Sequence, residues 1–207
     1  MVKDYLGLVP QQYTGKELTA TASIDLNNEQ EAVDFYQLAM KRLLDVNNWQ
    51  RTAEGVSATF QVTDQRGNKL ERNVQKGDYI RIDIPGPGSK EGDGFDWVNV
   101  DDLREISEND IQSIGFRVRP SENPKNLDSS GTAHFYDSSA SSNFIIQRIR
   151  NKVSALVIDK NLKPNLDVAS ITDKLRDAAI GTAAFLGVSK IQWQNLVDGI
   201  VKKGDNG

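Results

Sequence analysis

The chain has 207 residues, no cysteine, 25 basic and 29 acidic residues, and a formal net charge of −4 at pH 7. Without cysteine it can form neither a disulfide framework nor a thiolate metal site, and it has no cysteine nucleophile. The interspersed charges argue against nucleic-acid binding, which needs a basic face. No apolar run approaches the roughly 18 residues of a membrane span, and the N-terminus lacks a signal-peptide pattern. We therefore expect a cytoplasmic protein with one α+β domain over residues 1–207, of which 1–16 form an irregular arm.

The first regular elements begin at Leu18. From there to Asp25 apolar and polar residues alternate, which predicts a half-buried strand. The next segment is typical of a capped amphipathic helix, with Asn28 as the N-cap and Glu31 three residues later. Trp49 follows this helix and is expected to anchor its exit. The apolar face of the helix comprises Ala32, Phe35, Tyr36, Ala39, Met40 and Leu43.

The middle of the chain alternates between short strands and loops. Residues 85–95 and 120–131 are rich in turn-forming residues and predict two long loops, while the polar residues 101–112 predict at most one helical turn. Because strand follows strand without a crossover helix, we expect an antiparallel sheet of about seven to nine strands. The later strand candidates are 56–63, a hairpin partner near Lys69, 80–84, Trp97–Val100, 114–118, Thr132–Tyr136, Asn143–Arg150 and Val153–Lys160.

The C-terminal part of the sequence predicts two helices packed against that sheet. Ser170 is expected to cap the first, whose apolar face includes Leu175, and Gly187 to end it. Ser189 and Gln192 form a capping box for the second helix, which should close near Gly204.

Residues 18–49 resemble the start of the START-like, or helix-grip, family. The resemblance lies in the strand, the acidic turn, the helix, and the segment Leu43-Leu44-Asp45-Val46 followed by Trp49. It implies an antiparallel sheet that grips a C-terminal helix, with an apolar cavity between the two. The predicted break at Gly187 departs from the single long helix of that family, so no ligand-contacting position is carried over.

Several other sequence patterns partly match known kinds of functional site. The glycine-rich residues 86–94 lack the spacing of a phosphate-binding loop, and the acidic residues that follow do not fit an EF-hand, so neither a cofactor nor a metal is predicted. A single histidine, His134, excludes a multi-histidine zinc site. His134 could form a relay with Asp137 and a nearby serine, but no G-x-S-x-G motif supports it, and a hydrogen-bonded strand residue is the simpler interpretation. Four arginines could share one sheet face and bind an anionic group: Arg117, Arg119, Arg148 and Arg150.

The favoured functional hypothesis is a non-enzymatic protein that binds an apolar small molecule or lipid between the sheet and the C-terminal helices. One alternative is a protein–protein interaction module with a solid core. Another is a cyclase- or hydrolase-type enzyme, which would need His134 or an acidic residue to face the cavity. The candidate ligand-binding residues, chosen as aromatic or apolar positions on predicted strands, are Phe60, Ile82, Trp97, Phe116, His134 and Tyr136.

Overall fold

A computed structural model describes residues 3–53, 58–84, 92–108, 110–126, 131–165 and 178–204, and for 178–186 only the helical backbone. The helices are α1 (Glu29–Leu44), α2 (Trp49–Thr52) and α3 (Ala178–Ile200), with a 3-10 turn at Val46–Asn48. The strands are β1 (Lys16–Asp25), β2 (Thr59–Thr63), β3 (Tyr79–Asp83), β4 (Asp96–Glu108), β5 (Ile111–Pro120), β6 (Ser141–Ile149) and β7 (Lys152–Leu162).

All seven described strands form one antiparallel sheet in the order β1-β7-β6-β5-β4-β3-β2. The first strand therefore pairs with the last, and β1 and β2 are the two edges. The predicted α+β class with an antiparallel sheet packed against a C-terminal helix is confirmed. Among the described helices, none is long and apolar enough to cross a bilayer.

The first strand and helix form as the sequence predicts. The Asn28 side chain accepts a hydrogen bond of 2.9 Å from the backbone N–H of Glu31, which satisfies a donor that the helix itself leaves free. The predicted apolar face of α1 turns inward, with Tyr36 and Leu43 each 1% exposed. Trp49 is also 1% exposed, and its indole Nε1 donates to the backbone oxygen of Leu43 at 2.9 Å. Trp49 thus fixes the end of α1 to the core.

One concave face of the sheet holds the main core, and α3 lies across it. The last turns of α3 bury Leu196, Val197 and Ile200 in that core. Gly199 lets the backbones of α3 and α2 meet, because a Cβ atom built there would lie 1.8 Å from the backbone oxygen of Thr52. The C-terminal half of α3 is therefore held by side-chain packing in the core and by a close backbone approach to α2.

The predicted division of the C-terminal region is wrong. α3 runs without interruption through Gly187 and ends at Ile200, before Gly204. A glycine inside a helix costs only about 1 kcal/mol relative to alanine, which the packing of the following turns offsets. The predicted cap at Ser170 and the packing of Leu175 lie outside the described residues.

Three predictions for the middle of the chain are also wrong. Residues 101–112 belong to the long hairpin of β4 and β5, where charged side chains occupy the solvent side of the strands. Residues 132–136 form no strand, and their one ladder contact is an isolated bridge between Tyr136 and Pro164. The expected hairpin partner near Lys69 is likewise reduced to a bridge with Thr63.

The outer face of the sheet is covered by residues of the N-terminal arm. Leu6 and Leu8 are buried there against Ile145 and Leu156. The Arg104 guanidinium donates to the backbone oxygens of Leu6 and Gly7, and that of Arg117 to Leu8. Residues 3–15 of the arm thus form no helix or strand but are still held in place, and its last residue, Lys16, begins β1.

The four arginines do not share one face. Arg117 and Arg119 both bind the carboxylate of Asp101, at 2.8 Å, on the outer side. Arg148 instead belongs to the concave face, where its side chain is 2% exposed and lies 3.4 Å from Glu29. Arg150 is exposed in the β6–β7 turn. The four arginines therefore do not form the shared face on which anion binding would depend, an alternative that the sequence favours less than an ordinary solvated face.

Both edges of the sheet are occupied by side chains. At β2, the Asn47 side-chain oxygen accepts from the backbone N–H of Val62 at 2.7 Å, and the N–H of Leu70 donates to the Val62 oxygen at 2.9 Å. At β1, the Gln194 side chain on α3 donates to the backbone oxygen of Thr21 at 3.2 Å.

Candidate functional site

A cavity of about 70 Å³ lies between the concave face of the sheet, the segment 131–140 and α3. A space of this size holds a few water molecules or a small organic group, and it is smaller than a typical site for a drug-sized ligand. Its described lining residues are Trp49, Phe60, Ile80, Ile82, Ile84, Asp96, Val98, Val118, His134, Tyr136, Ser142, Phe144, Asp159, Val188, Ser189, Gln192 and Trp193.

The walls of the cavity are mostly apolar because alternate residues of neighbouring strands point to the same face. Phe60 and Ile82 are paired across β2 and β3, and Ile82 is paired in turn with Asp96 on β4. Aromatic rings close one side, with the centroid of Trp193 5.2 Å from that of Phe144. These rings bring a residue of α3 into contact with the sheet.

Four of the six predicted ligand-binding residues lie around the cavity: Phe60, Ile82, His134 and Tyr136. The other two do not line it. Trp97 follows Asp96 on β4, so strand alternation turns it to the opposite face, where its Nε1 donates to the Gly92 oxygen at 3.2 Å. Phe116 lies beneath the lining, with its ring centroid 5.1 Å from that of Phe144. Ligand binding by the four remaining residues stays a prediction.

His134 is positioned by an irregular segment rather than by a strand. The backbone oxygen of Ala133 accepts from the N–H of Trp97 at 2.8 Å. The Asn165 side chain donates to the oxygens of Thr132 and His134, at 3.0 and 3.3 Å. These contacts hold the imidazole against the cavity.

The partner of His134 is Asp96, not Asp137. His134 Nε2 lies 3.9 Å from Asp96 Oδ2, while Nδ1 accepts from the backbone N–H of Tyr136 at 3.0 Å. Because Nδ1 is an acceptor, the imidazole proton is assigned to Nε2, facing the carboxyl. Asp137 instead accepts from the hydroxyl and backbone N–H of Ser139. The His134–Asp137–serine relay is therefore not formed.

Burial acts on both members of this pair. It raises the pKa of the Asp96 carboxyl, which the charge of His134 and a backbone hydrogen bond from Phe135 partly oppose. It lowers the pKa of His134, which the charge of Asp96 opposes. Both effects favour the neutral forms of the two side chains.

Asp159 on β7 is the second buried carboxyl of the cavity and is 2% exposed. Its Oδ2 accepts from the indole Nε1 of Trp193 at 2.9 Å. Oδ1 is buried, and within the described part of the chain no donor makes a hydrogen bond of ordinary geometry to it. Burial raises the pKa of Asp159 to about 7, although interactions with Ser142 and Trp193 pull it down.

Tyr136 and Ser142 complete the polar end of the cavity beside Asp159. Ser142 is opposite Asp159 on the neighbouring strand. Burial and the nearby Asp159 raise the pKa of the Tyr136 hydroxyl, and a hydrogen bond with Ser189 opposes the shift. The cavity therefore offers hydroxyl groups and carboxyls within mainly apolar walls. In the described ranges, no cluster of histidine, aspartate or glutamate is arranged to hold a metal ion.

Neither Asp159 nor Trp193 is among the ligand-binding residues predicted from the sequence. A signal for Asp159 exists in the alternation of β7, because it falls on the same face as the buried Val153, Ala155 and Val157. A carboxyl at an apolar period of a strand is an exception that points to a site. No comparable signal marks Asp96, which directly follows a glycine-rich loop.

Comparisons with solved structures find distant similarity across most of the chain. The protein TTHA0849 from Thermus thermophilus has a TM-score of 0.38 and 11% identity, covering 90% of this chain and 94% of its own. Ginseng major latex-like protein 151 from Panax ginseng has a TM-score of 0.34 and 12% identity, covering 83% and 98%. Ara h 8.0201 has a TM-score of 0.34 and 10% identity, covering 87% and 99%. No protein-family model and no curated protein matches the sequence.

Similarities at this level assign no function. The fold is instead established by the chain's own features, which are a seven-stranded antiparallel sheet with β1 beside β7 and a long C-terminal helix across its concave face. This is the helix-grip architecture, and the START-like resemblance of residues 18–49 is confirmed at the level of the fold.

The burial of Asp159 predicts a specific pH dependence of stability. A carboxyl whose pKa is raised on folding binds its proton more tightly in the folded state, so its contribution is lost as pH rises from about 4 to about 7. Over that window we expect Asp159 to lower the unfolding free energy of the wild type by on the order of 1.4 kcal/mol per pH unit. The variant Asp159→Asn lacks this slope and should gain relative stability at pH 8 compared with pH 5.

Urea unfolding of the wild type and of Asp159→Asn at both pH values measures the effect. Asp96 is present in both proteins, so its own titration cancels in the difference. Asp25→Asn removes an exposed carboxyl from β1 and should show no such trend. An equal stability difference at pH 5 and pH 8 would show that the pKa of Asp159 is not raised.

Proposed function

We propose that this protein binds a small, mainly apolar molecule in the cavity between the sheet and α3. The observation that carries the proposal is the cavity itself, which joins apolar walls from five strands and α3 to a few convergent polar groups. That combination is the usual form of a small-molecule site.

The buried carboxyls favour this function over a purely structural core. An ionisable group in an apolar interior is costly unless it is paired, and the same positions could carry an apolar residue without that cost. Asp96 and Asp159 both have raised pKa values and both line the cavity. Two such groups around one space are better explained by a ligand than by packing.

The size of the cavity narrows the ligand. A volume of about 70 Å³ excludes a long-chain lipid, and it admits a single ring only if α3 shifts slightly away from the sheet, since an apolar cavity that holds benzene measures about 150 Å³. We therefore favour a small ring-containing molecule over a lipid as the ligand.

A cavity-filling variant tests the proposal. Toluene should raise the thermal unfolding midpoint of the wild type, because a ligand that binds only the folded state stabilises it. Ile82→Phe should abolish this shift by occupying the space beside Phe60. Ile149→Phe, at an exposed position on β6, is the matched control and should retain the shift. If toluene shifts no midpoint, or shifts Ile82→Phe as much as the wild type, the cavity is not the binding site.

Acid–base catalysis is a second candidate, and one observation favours it. His134 does not point to solvent but faces Asp96 across 3.9 Å within the same cavity. This separation is too long for direct proton transfer, but it places an acid and a base on opposite sides of a space that a reacting group could enter. Ligands extracted from protein purified from its own source can be returned to the wild type and to His134→Asn and followed by mass spectrometry. Conversion by the wild type alone would establish an enzyme, while unchanged ligand with both proteins would leave binding as the function.

A further inference from the structure

The polar end of the cavity holds two buried carboxyls, Asp96 and Asp159, and no lysine or arginine of the described chain pairs with either. The nearest basic residues in sequence are engaged elsewhere, since Lys160 pairs with Glu17 and Lys163 lies 3.9 Å from Asp137. No ion pair to Asp159 forms among the described residues. Among the described residues, the cavity is thus lined by two carboxyls with no lysine or arginine partner.

The Asp159 carboxyl has a fixed orientation in the cavity. Oδ2 is held by the indole of Trp193 at 2.9 Å, which fixes the plane of the carboxyl. Oδ1 is buried and accepts no hydrogen bond of ordinary geometry from the described residues, while the Ser142 hydroxyl interacts with the carboxyl and the carboxyl belongs to the lining of the cavity. A buried acceptor without a well-placed donor is unfavourable, so a ligand that supplies the donor gains affinity.

The only ionisable base among the described residues that line the cavity cannot supply the donor. His134 is turned toward Asp96, and burial lowers the pKa of its imidazole. The other titratable group beside Asp159 is the Tyr136 hydroxyl, whose own pKa is raised. From the sheet, the segment 131–140 and the described side chains of α3, the groups facing the cavity are therefore neutral or acidic.

We propose that Asp159 anchors a cationic N–H group of the ligand, such as a protonated amine or amidine, while the apolar body lies against Trp193 and Phe144. This inference rests on the proposed function and specifies the chemistry of its ligand. The aromatic rings suit such a molecule in two ways, because they bury its apolar part and their faces attract its positive charge. Ser142, opposite Asp159 on β6, offers a hydroxyl acceptor for a second N–H of the same group.

Binding of a cation is linked to protonation of the carboxyl. Below a pKa of about 7, Asp159 must release its proton before it pairs with the cation. We expect the affinity for an amine to fall about tenfold for each pH unit below that value. A neutral ligand of the same shape should show no such dependence on Asp159.

Benzylamine and benzyl alcohol are suitable probes, since they share a ring and differ mainly in charge. Isothermal titration of the full chain at pH 8 should show benzylamine binding at least about tenfold more tightly than benzyl alcohol. The preference should disappear in Asp159→Asn, and it should remain in Asp25→Asn, which loses an equal charge from an exposed position. Circular dichroism of each variant verifies that it is folded.

Four results would count against the inference. Equal affinity of the wild type for the two probes would overturn it while leaving cavity binding intact. A preference for benzylamine that persists in Asp159→Asn would also overturn the inference and leave cavity binding intact. If neither probe binds, both this inference and the proposed function are overturned. The wild-type measurement, repeated at pH 6, decides the question even if Asp159→Asn fails to fold, because an amine affinity that does not fall with pH contradicts pairing to Asp159.

Discussion

Replacing Trp49 with alanine is expected to destabilise the protein by about 3–5 kcal/mol, the range for deletion of a large buried aromatic side chain. Its ring contacts those of Phe60, Phe144 and Trp193, with centroids 5.2, 4.8 and 6.4 Å away. The same side chain holds the end of α1 through the Leu43 oxygen. The substitution therefore removes core contacts from β2, β6 and α3 at once.

Urea unfolding followed by circular dichroism measures this loss against a typical total of about 5–15 kcal/mol. Tyr13→Ala is the control, because that aromatic side chain is 71% exposed and should change stability by less than about 0.5 kcal/mol. A comparable small effect for Trp49→Ala would mean that the rings around Trp49 do not form the packed centre of the fold.

A second large effect is expected at the contact between α3 and α2. Gly199→Ala places a Cβ atom where the Thr52 backbone oxygen lies only 1.8 Å away, and backbone cannot rotate aside as a side chain can. Overpacked cores typically lose 1–3 kcal/mol, and a clash with backbone should cost about 3 kcal/mol or more. The helix must shift on the sheet to relieve it.

Gly187→Ala provides the matched control within the same helix. Outside its own helical turn, no atom of the described residues lies within 4 Å of a Cβ built at Gly187, so the substitution should stabilise the helix by about 0.5–1 kcal/mol. Thermal unfolding of the two variants should thus move the midpoint in opposite directions. Equal shifts for both would contradict the close approach of α3 to α2.

The sequence predicts those elements whose signals are local. The Asn28 cap and the apolar face of α1 depend on residues three or four apart, and both are confirmed. By contrast, the continuity of α3 through Gly187 depends on core contacts made by Leu196 and Ile200, which propensity at the glycine cannot reveal. The hairpin over residues 101–112 is likewise not evident from the sequence, because the segment is mostly polar and its strands are defined by backbone pairing.

The site was predictable only in its apolar part. Phe60 and Ile82 reach the cavity because strand alternation fixes their face. Strand alternation does not position His134. Its segment is held at the cavity by hydrogen bonds to Trp97 and Asn165, which are distant in the sequence. The pairing of Asp159 with Trp193 joins β7 to α3, and such long-range contacts follow from the packed fold.

The contacts of Asn47 and Gln194 at the sheet edges have a consequence for self-association. Edge strands expose unpaired backbone groups that invite a strand from another molecule, which is a route to aggregation. At β2 both backbone groups of Val62 are already bonded, and at β1 the Thr21 oxygen is bonded by a residue of α3. The 3-10 turn that carries Asn47 and the helix that carries Gln194 therefore also hinder intermolecular β-pairing at these positions. A variant such as Asn47→Ala would leave the Val62 N–H open to a strand from a neighbouring copy.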